Sequence, residues 1–219
     1  ELNGKENGRE LVLIDTGMGG FYNVSKRNYS IFKSENIFQP IGESTGASSI
    51  SLFGETPKST QTRVYTPQLK INTTAFQNII TQTTEDDSSK IGAELLNHGI
   101  MTIDFKRKRF YFKSKLETID MSAPAIGFEL TLKDKFFVVG YVWDTDLQNK
   151  LQYGDKILKV NGVVLDDSNF CKYVLKDSVI NSEHRFDISF EDHDGSVHNI
   201  IVNKKELKTI LADFNYEKN

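Results

Sequence analysis

Leu11-Val12-Leu13-Ile14-Asp15-Thr16-Gly17 sets one carboxylate directly after four apolar residues and directly before a glycine. A short apolar run closed by a turn signal reads as a β-strand, so Asp15 is carried to the end of a strand whose apolar neighbours bury the base of the site. Gly17, without a Cβ, lets the backbone fold under the carboxylate so that amide hydrogens point at it. Thr16 offers a hydroxyl to the same network. Three residues are a short signal, and the rest of the chain has to supply the context.

Working outward, residues 9 to 112 carry β-type runs at Glu10 to Ile14, Ile50 to Phe53, Arg63 to Tyr65, Leu69 to Ile71, Phe76 to Thr81, Met101 to Phe105 and Phe110 to Phe112, separated by Gly, Pro, Ser and Asn. A second β-rich stretch begins near Ala123, with strands expected at Phe136 to Trp143, Lys156 to Asn161, His184 to Glu191 and Val197 to Asn203. Helical character is confined to Asn23–Phe32, the turn Ala93–Leu96 after Gly92, and a helix capped by Asp167-Ser168 and running to about Lys176 with Phe170, Tyr173 and Val174 on one face. Glu206 to Asn219 reads as a terminal helix or a frayed, partly disordered tail. A length of 219 residues suits two domains of about 100 residues each. The expectation is a mainly β chain with domains at 1–119 and 120–205 and a tail at 206–219.

Apolar residues at 38% and charged residues at 26% describe an ordinary globular chain, and no apolar run is long enough to cross a bilayer. A net charge of -3 gives no broad attraction for polyanions, so no nucleic-acid partner is expected. The lone Cys171 excludes an intramolecular disulfide and a thiolate-rich zinc site, and His98, His184, His193 and His198 lack the i, i+4 pairing of a zinc protease. No metal and no cofactor are expected. Gly42-Glu43-Ser44-Thr45-Gly46 matches a nucleophile elbow, but no helix pattern follows it. Asp192-His193-Asp194-Gly195 reads as a hairpin turn and not a calcium loop. Lys106 to Arg109 reads as a solvated hairpin tip. The opening Glu1-Leu2-Asn3-Gly4 has no Met, basic start or apolar signal core, as in a processed chain with a segment expected upstream.

Lys90-Ile91-Gly92-Ala93-Glu94-Leu95-Leu96, then Met101 to Phe105 and Arg109 to Phe112, follow the Asp-Thr-Gly turn in order and spacing. Residues 9 to 113 thereby resemble a retropepsin-like aspartic protease lobe. The resemblance implies that Asp15, Thr16 and Gly17 form the catalytic turn, with Thr16 gripping its counterpart on an opposing lobe. It implies that Ile91 and Gly92 pack beneath that turn, and that a flap lies between Ile41 and Thr60 and includes Gly46 to Gly54. Lys90 departs from the pattern, standing where an apolar residue is usual, and so does Met18-Gly19. Aspartic proteolysis needs two facing carboxylates, one ionised and one neutral. At about 4 Å and an effective dielectric near 20 their charges repel by roughly 4 kcal/mol, which keeps one proton shared. With no second Asp-Thr-Gly here, the other carboxylate is expected from a homodimer partner or a missing upstream segment. The substrate class is polypeptide.

Ile126-Gly127-Phe128-Glu129-Leu130, Phe137 to Val142, and above all Gly154-Asp155-Lys156-Ile157-Leu158-Lys159-Val160-Asn161-Gly162 resemble a PDZ domain. That implies an α+β barrel whose amides at Ile126, Gly127 and Phe128 form a nest for a peptide's terminal carboxylate, with the strand through Leu132 accepting the peptide as an added strand. An Asp-Thr-Gly lobe joined to a PDZ-like domain resembles bacterial envelope proteins, so export to the periplasm or cell envelope is expected. The leading expectation is an aspartic endopeptidase. The alternative is a non-catalytic peptide-binding scaffold with a degenerate protease lobe.

Overall fold

In the computed structural model, residues 1–47, 50–51, 54–175, 178–180 and 183–214 are described. The chain is mainly β and divides into two compact units. The first comprises Glu1–Ile41, Thr62–Ala123 and the stretch from Leu211; the second comprises Gly42–Gln61 and Pro124–Ile210. Among the described residues no helix is long and apolar enough to cross a membrane.

In the first unit the strand Thr74–Thr84 is the hub. It pairs antiparallel with Ser59–Ile71 and parallel with both Tyr22–Ser25 and Thr118–Asp120. Beyond Tyr22–Ser25 lies Lys90–Gly92, antiparallel to it, and outermost on that side is Leu13–Asp15, parallel to Lys90–Gly92. Arg63–Tyr65 and Leu69–Ile71, which the intervening Pro67 separates in sequence, are one strand. Proline removes a ladder N–H. The partner strand accommodates it where Thr66 faces Ile79 and Gln68 faces Gln77: Asn78 there takes a φ of +59°, and its side chain accepts from the Tyr65 hydroxyl at 3.1 Å.

The helix expected over Asn23–Phe32 begins later, at Lys26, because Tyr22–Ser25 is taken up by the sheet. Ser25 caps it, its side chain accepting from the Asn28 amide at 3.2 Å, and Phe32 faces the core. That core is built from Phe21, Phe76 and Phe112, whose rings meet at 4.6 and 5.9 Å, together with Val24, Val64 and Leu95. Within it Tyr22 is 3% exposed and donates its hydroxyl to Glu10, whose other oxygen accepts from the Asn28 side chain at 2.7 Å.

The second unit is an antiparallel sheet in the order Phe128–Lys133, Phe136–Val142, Lys156–Val160, Arg185–Glu191, Val197–Asn203. Alternation puts Val139, Ile157, Phe186, Ile188 and Phe190 into its own core. Asp155 is 3% exposed, and its carboxylate accepts the Gln152 amide at 2.8 Å. Burial pushes this carboxyl above its ordinary value, and the Gln152 bond pulls the other way. The Gly-Asp of the most specific sequence run is thus a turn-closing device. Asp192 to Gly195 is the expected hairpin turn, with Gly195 at φ +79°. The helix expected from Ser168 covers Phe170–Leu175, and its expected end at Lys176 lies outside the described residues. A helix spans Leu207–Asp213; residues 215–219, in the expected tail, are outside the described residues too.

Burial holds the Tyr22 phenol well above its ordinary value, and the Glu10 carboxylate adds to the effect. A folded-state value above the unfolded one means that this stabilisation is complete below about pH 10 and drains away as pH rises through the folded value. The melting temperature is therefore expected to fall more steeply above pH 10 in the native chain than in Tyr22→Phe, read as the difference between the two in circular-dichroism melts from pH 8 to 11.

Candidate functional site

Leu13–Asp15 is a short strand paired, among the described strands, with Lys90–Gly92 alone, with Ile91 opposite Ile14 and Gly92 opposite Asp15. Val12 and Ile14 pack against the core of the first unit. Leu13, on the same side of the strand as Asp15, is 52% exposed, and Leu11 is 94% exposed. The burial expected at the base of the site therefore comes from one face of this segment, while the face carrying Asp15 is open.

After Asp15 the chain turns. The Gly17 amide donates to Asp15 Oδ1 at 3.0 Å, and the Met18 amide to the Asp15 carbonyl at 3.1 Å. The loop then passes over Gly92: the Ala93 amide donates to the Met18 carbonyl at 2.8 Å, and the Gly92 amide to the Phe21 carbonyl at 3.0 Å. A Cβ on Gly92 would lie 2.2 Å from the Gly20 carbonyl oxygen and 2.5 Å from that of Met18. Only glycine lets the two backbones approach so closely. Ile91 beside it is 1% exposed, in the core. Asp15, Gly17, Ile91 and Gly92 are thus brought together. Thr16 is exposed, and among the described residues its hydroxyl has no partner within the chain.

Lys90 is the residue whose role the sequence reading missed. Its Nζ lies 3.2 Å from Asp15 Oδ2 and 3.0 Å from Asp86 Oδ2. Its pKa is raised, mainly by the hydrogen bond to Asp86, against the opposing effect of partial burial and with help from Asp15. Burial pushes Asp86 upward, but the hydrogen bonds from Lys90 and Thr84 outweigh it and leave that carboxyl below its ordinary range. The available signal was positional. In paired strands residue 90 precedes Gly92 by two and shares its face, so a long cation there reaches the carboxylate opposite Gly92.

In the second unit, Phe128 is buried and Ile126 half-buried. The Gly127 carbonyl accepts from the Trp143 and Asp144 amides at 2.8 and 3.0 Å. Asp144 leans on this glycine: its Cβ would be 2.4 Å from a Cβ on Gly127, and its carboxylate takes the Lys205 ammonium at 2.8 Å. A ligand carboxylate placed at 126–128 would share its surroundings with Asp144, a like charge offset by Lys205. Phe128–Lys133 is an end strand of the sheet, paired among the described strands to Phe136–Val142 alone.

The segment 42–61, which covers nearly all of the expected flap, packs within this second unit. Its inner strands Ile50–Ser51 and Gly54–Glu55 pair with each other; residues 48, 49, 52 and 53 are outside the described residues. At its base Ser44 Oγ accepts the Val142 amide at 2.8 Å, and the Gln148 carboxamide bridges the carbonyls of Glu43 and Val142, 3.0 Å from each. Gly46 meets Gly140 back to back, and a Cβ on Gly46 would lie 1.8 Å from the Gly140 carbonyl oxygen. Ser44, the centre of the nucleophile-elbow match, is thus a strand residue occupied in holding a neighbouring strand. Beside this contact opens a polar cavity of about 330 Å³ lined by Glu43, Lys58, Gln148, Tyr153 and His193. Among the described residues no group of three metal-ligating side chains occurs. Comparison with protein-family models finds no match, and comparison with curated proteins finds none either.

Gly92→Ala is expected to cost about 1–3 kcal/mol by overpacking the loop above it, seen as a lower urea midpoint. Gly46→Ala is expected to loosen the 42–47 segment and speed hydrogen exchange at the Val142 amide, whose acceptor is Ser44.

Proposed function

We propose that the first unit is a retropepsin-like lobe that contributes one carboxylate, Asp15, to an aspartic endopeptidase site, and that the second unit is a PDZ-like module that binds polypeptide. One observation carries the reading: Asp15 sits at a strand end, receives a backbone amide on Oδ1, rests opposite a glycine with no room for a side chain, and shares an open face with exposed leucines. A carboxylate held by a backbone amide and one ammonium, and partly exposed beside an apolar rim, suits a site completed by a second body. A polypeptide substrate also suits the end strand Phe128–Lys133, paired among the described strands with Phe136–Val142 alone, since an extended chain adds to such a strand through main-chain hydrogen bonds.

The chemistry requires a second Asp facing Asp15 across a water molecule. The water oxygen attacks the scissile carbonyl carbon, its proton passes to Asp15, and the neutral partner carboxyl gives its proton to the carbonyl oxygen. On collapse Asp15 delivers its proton to the departing amide nitrogen, and a hydroxyl of the gem-diol returns one to the partner. No cofactor takes part. The non-catalytic alternative, a peptide-binding scaffold, draws support from Lys90, whose ammonium already occupies one oxygen of Asp15.

Cleavage of an unfolded protein at pH 4 to 7, assayed with the native protein and with Asp15→Asn, the lobe that completes the site present in both and melting temperatures matched, separates these readings. The expected outcome is loss of at least 100-fold in kcat/KM, in line with removal of a general base that contributes about 10²–10⁴. Undiminished cleavage in the variant would overturn the proteolytic reading.

A further inference from the structure

The two oxygens of Asp15 are not equivalent. Oδ1 accepts the Gly17 amide at 3.0 Å, and Oδ2 faces the Lys90 ammonium at 3.2 Å. An amide N–H and an ammonium are donors only, so both oxygens are set up to accept. Lys90 is itself anchored from the far side by Asp86 at 3.0 Å, and its side chain is only 21% exposed, so the cation is held in place and does not hang in solvent. Asp15 and Asp86 are the charged groups within ion-pair distance of Lys90, Asp15 from Leu13–Asp15 and Asp86 from the turn before Lys90–Gly92; the antiparallel neighbour at the Lys90 position is the uncharged Asn23.

A carboxylate pair works because one member donates while the other accepts. What forces a proton to be shared is the repulsion between the two anions at about 4 Å. A cation at 3.2 Å attracts each carboxylate at least as strongly as its twin repels it. In a two-fold dimer of this chain both carboxylates would carry identical surroundings. Each would have its own lysine and its own amide, both would be acceptors, and neither would supply the proton needed by the scissile carbonyl.

We propose that Lys90 is a positioning residue that fixes Asp15 as the proton-accepting member of the pair, so that the lobe completing the site is not a second copy of this chain but one bearing an Asp without a lysine beside it. This rests on the proteolytic reading above. It adds the division of labour between the carboxylates and the kind of partner.

The test has two arms. In the first, Asp15→Cys in a Cys171→Ser background is oxidised as the full chain at concentrations spanning the micromolar range. Twin cysteines at a symmetric seam would come within disulfide reach, about 4.4–6.8 Å between Cα atoms. The expected result is a chain that stays uncrosslinked; a disulfide-linked dimer through position 15 overturns the proposal whether or not the protein is an active enzyme. In the second, kcat and KM are compared for Lys90→Met, Lys90→Arg and the native protein in the same cleavage assay, with the lobe that completes the site present in every sample. Lys90→Met is expected to lower kcat by at least tenfold with KM little changed, while Lys90→Arg stays within about threefold of native. A Lys90→Met enzyme with native kcat overturns the proposal, while loss of activity in Asp15→Asn would leave the proteolytic reading standing. Cleavage undiminished in Asp15→Asn would instead remove that reading, and this one with it.

Discussion

Everything about Asp15 depends on a steric constraint at one position. Among the described strands Leu13–Asp15 has a single neighbour, and the turn that follows it crosses directly over that strand at Gly92, where two carbonyl oxygens lie within 2.5 Å of any added Cβ. The close approach brings the Met18 carbonyl to the Ala93 amide and the Phe21 carbonyl to the Gly92 amide. Those bonds fix the loop, and the loop aims the carboxylate. Ile91, sunk in the core next to it, ties the arrangement to the hydrophobic packing of the unit.

Much of this was legible in the amino-acid sequence, for definite reasons. Strands with strong alternation and clear turn chemistry, such as Val197–Asn203, were read to the residue, and the short helical turn after Gly92 stands where its sequence put it. Pro67 misled because its cost depends on what lies opposite, and the tolerance is supplied by Asn78 on a strand whose pairing the sequence does not state. Tyr22–Ser25 joined the sheet and delayed the helix, since partners on both sides outweighed local preference. Lys90 stood out as a departure, but its reach to both Asp15 and Asp86 depends on strand register, which composition does not encode.

The packing of 42–61 is the other feature that pattern alone did not convey. Gly46 and Gly140 look like ordinary flexible points, yet their joint role is to let one backbone lie flat upon another. Ser44 and Gln148 then bond main-chain groups at this contact, the Val142 amide and the Glu43 and Val142 carbonyls. A Gly-x-Ser-x-Gly match is emptied of nucleophilic meaning by the same bonds: the hydroxyl is spent as an acceptor in a structural joint.

The parallel ladder between Leu13–Asp15 and Lys90–Gly92 also bears on the order in which the molecule is assembled. Its two members lie far apart in sequence, Leu13 pairing with Lys90, so the ladder closes only after the intervening chain has met its loop-closure entropy. On a ribosome, the segment bearing Asp15 emerges before Lys90–Gly92 and stays without a seat until Gly92 has been synthesised and docked. Until then the acidic group has neither the strand beside it nor the loop that aims it, so the geometry around Asp15 is among the later acts of folding.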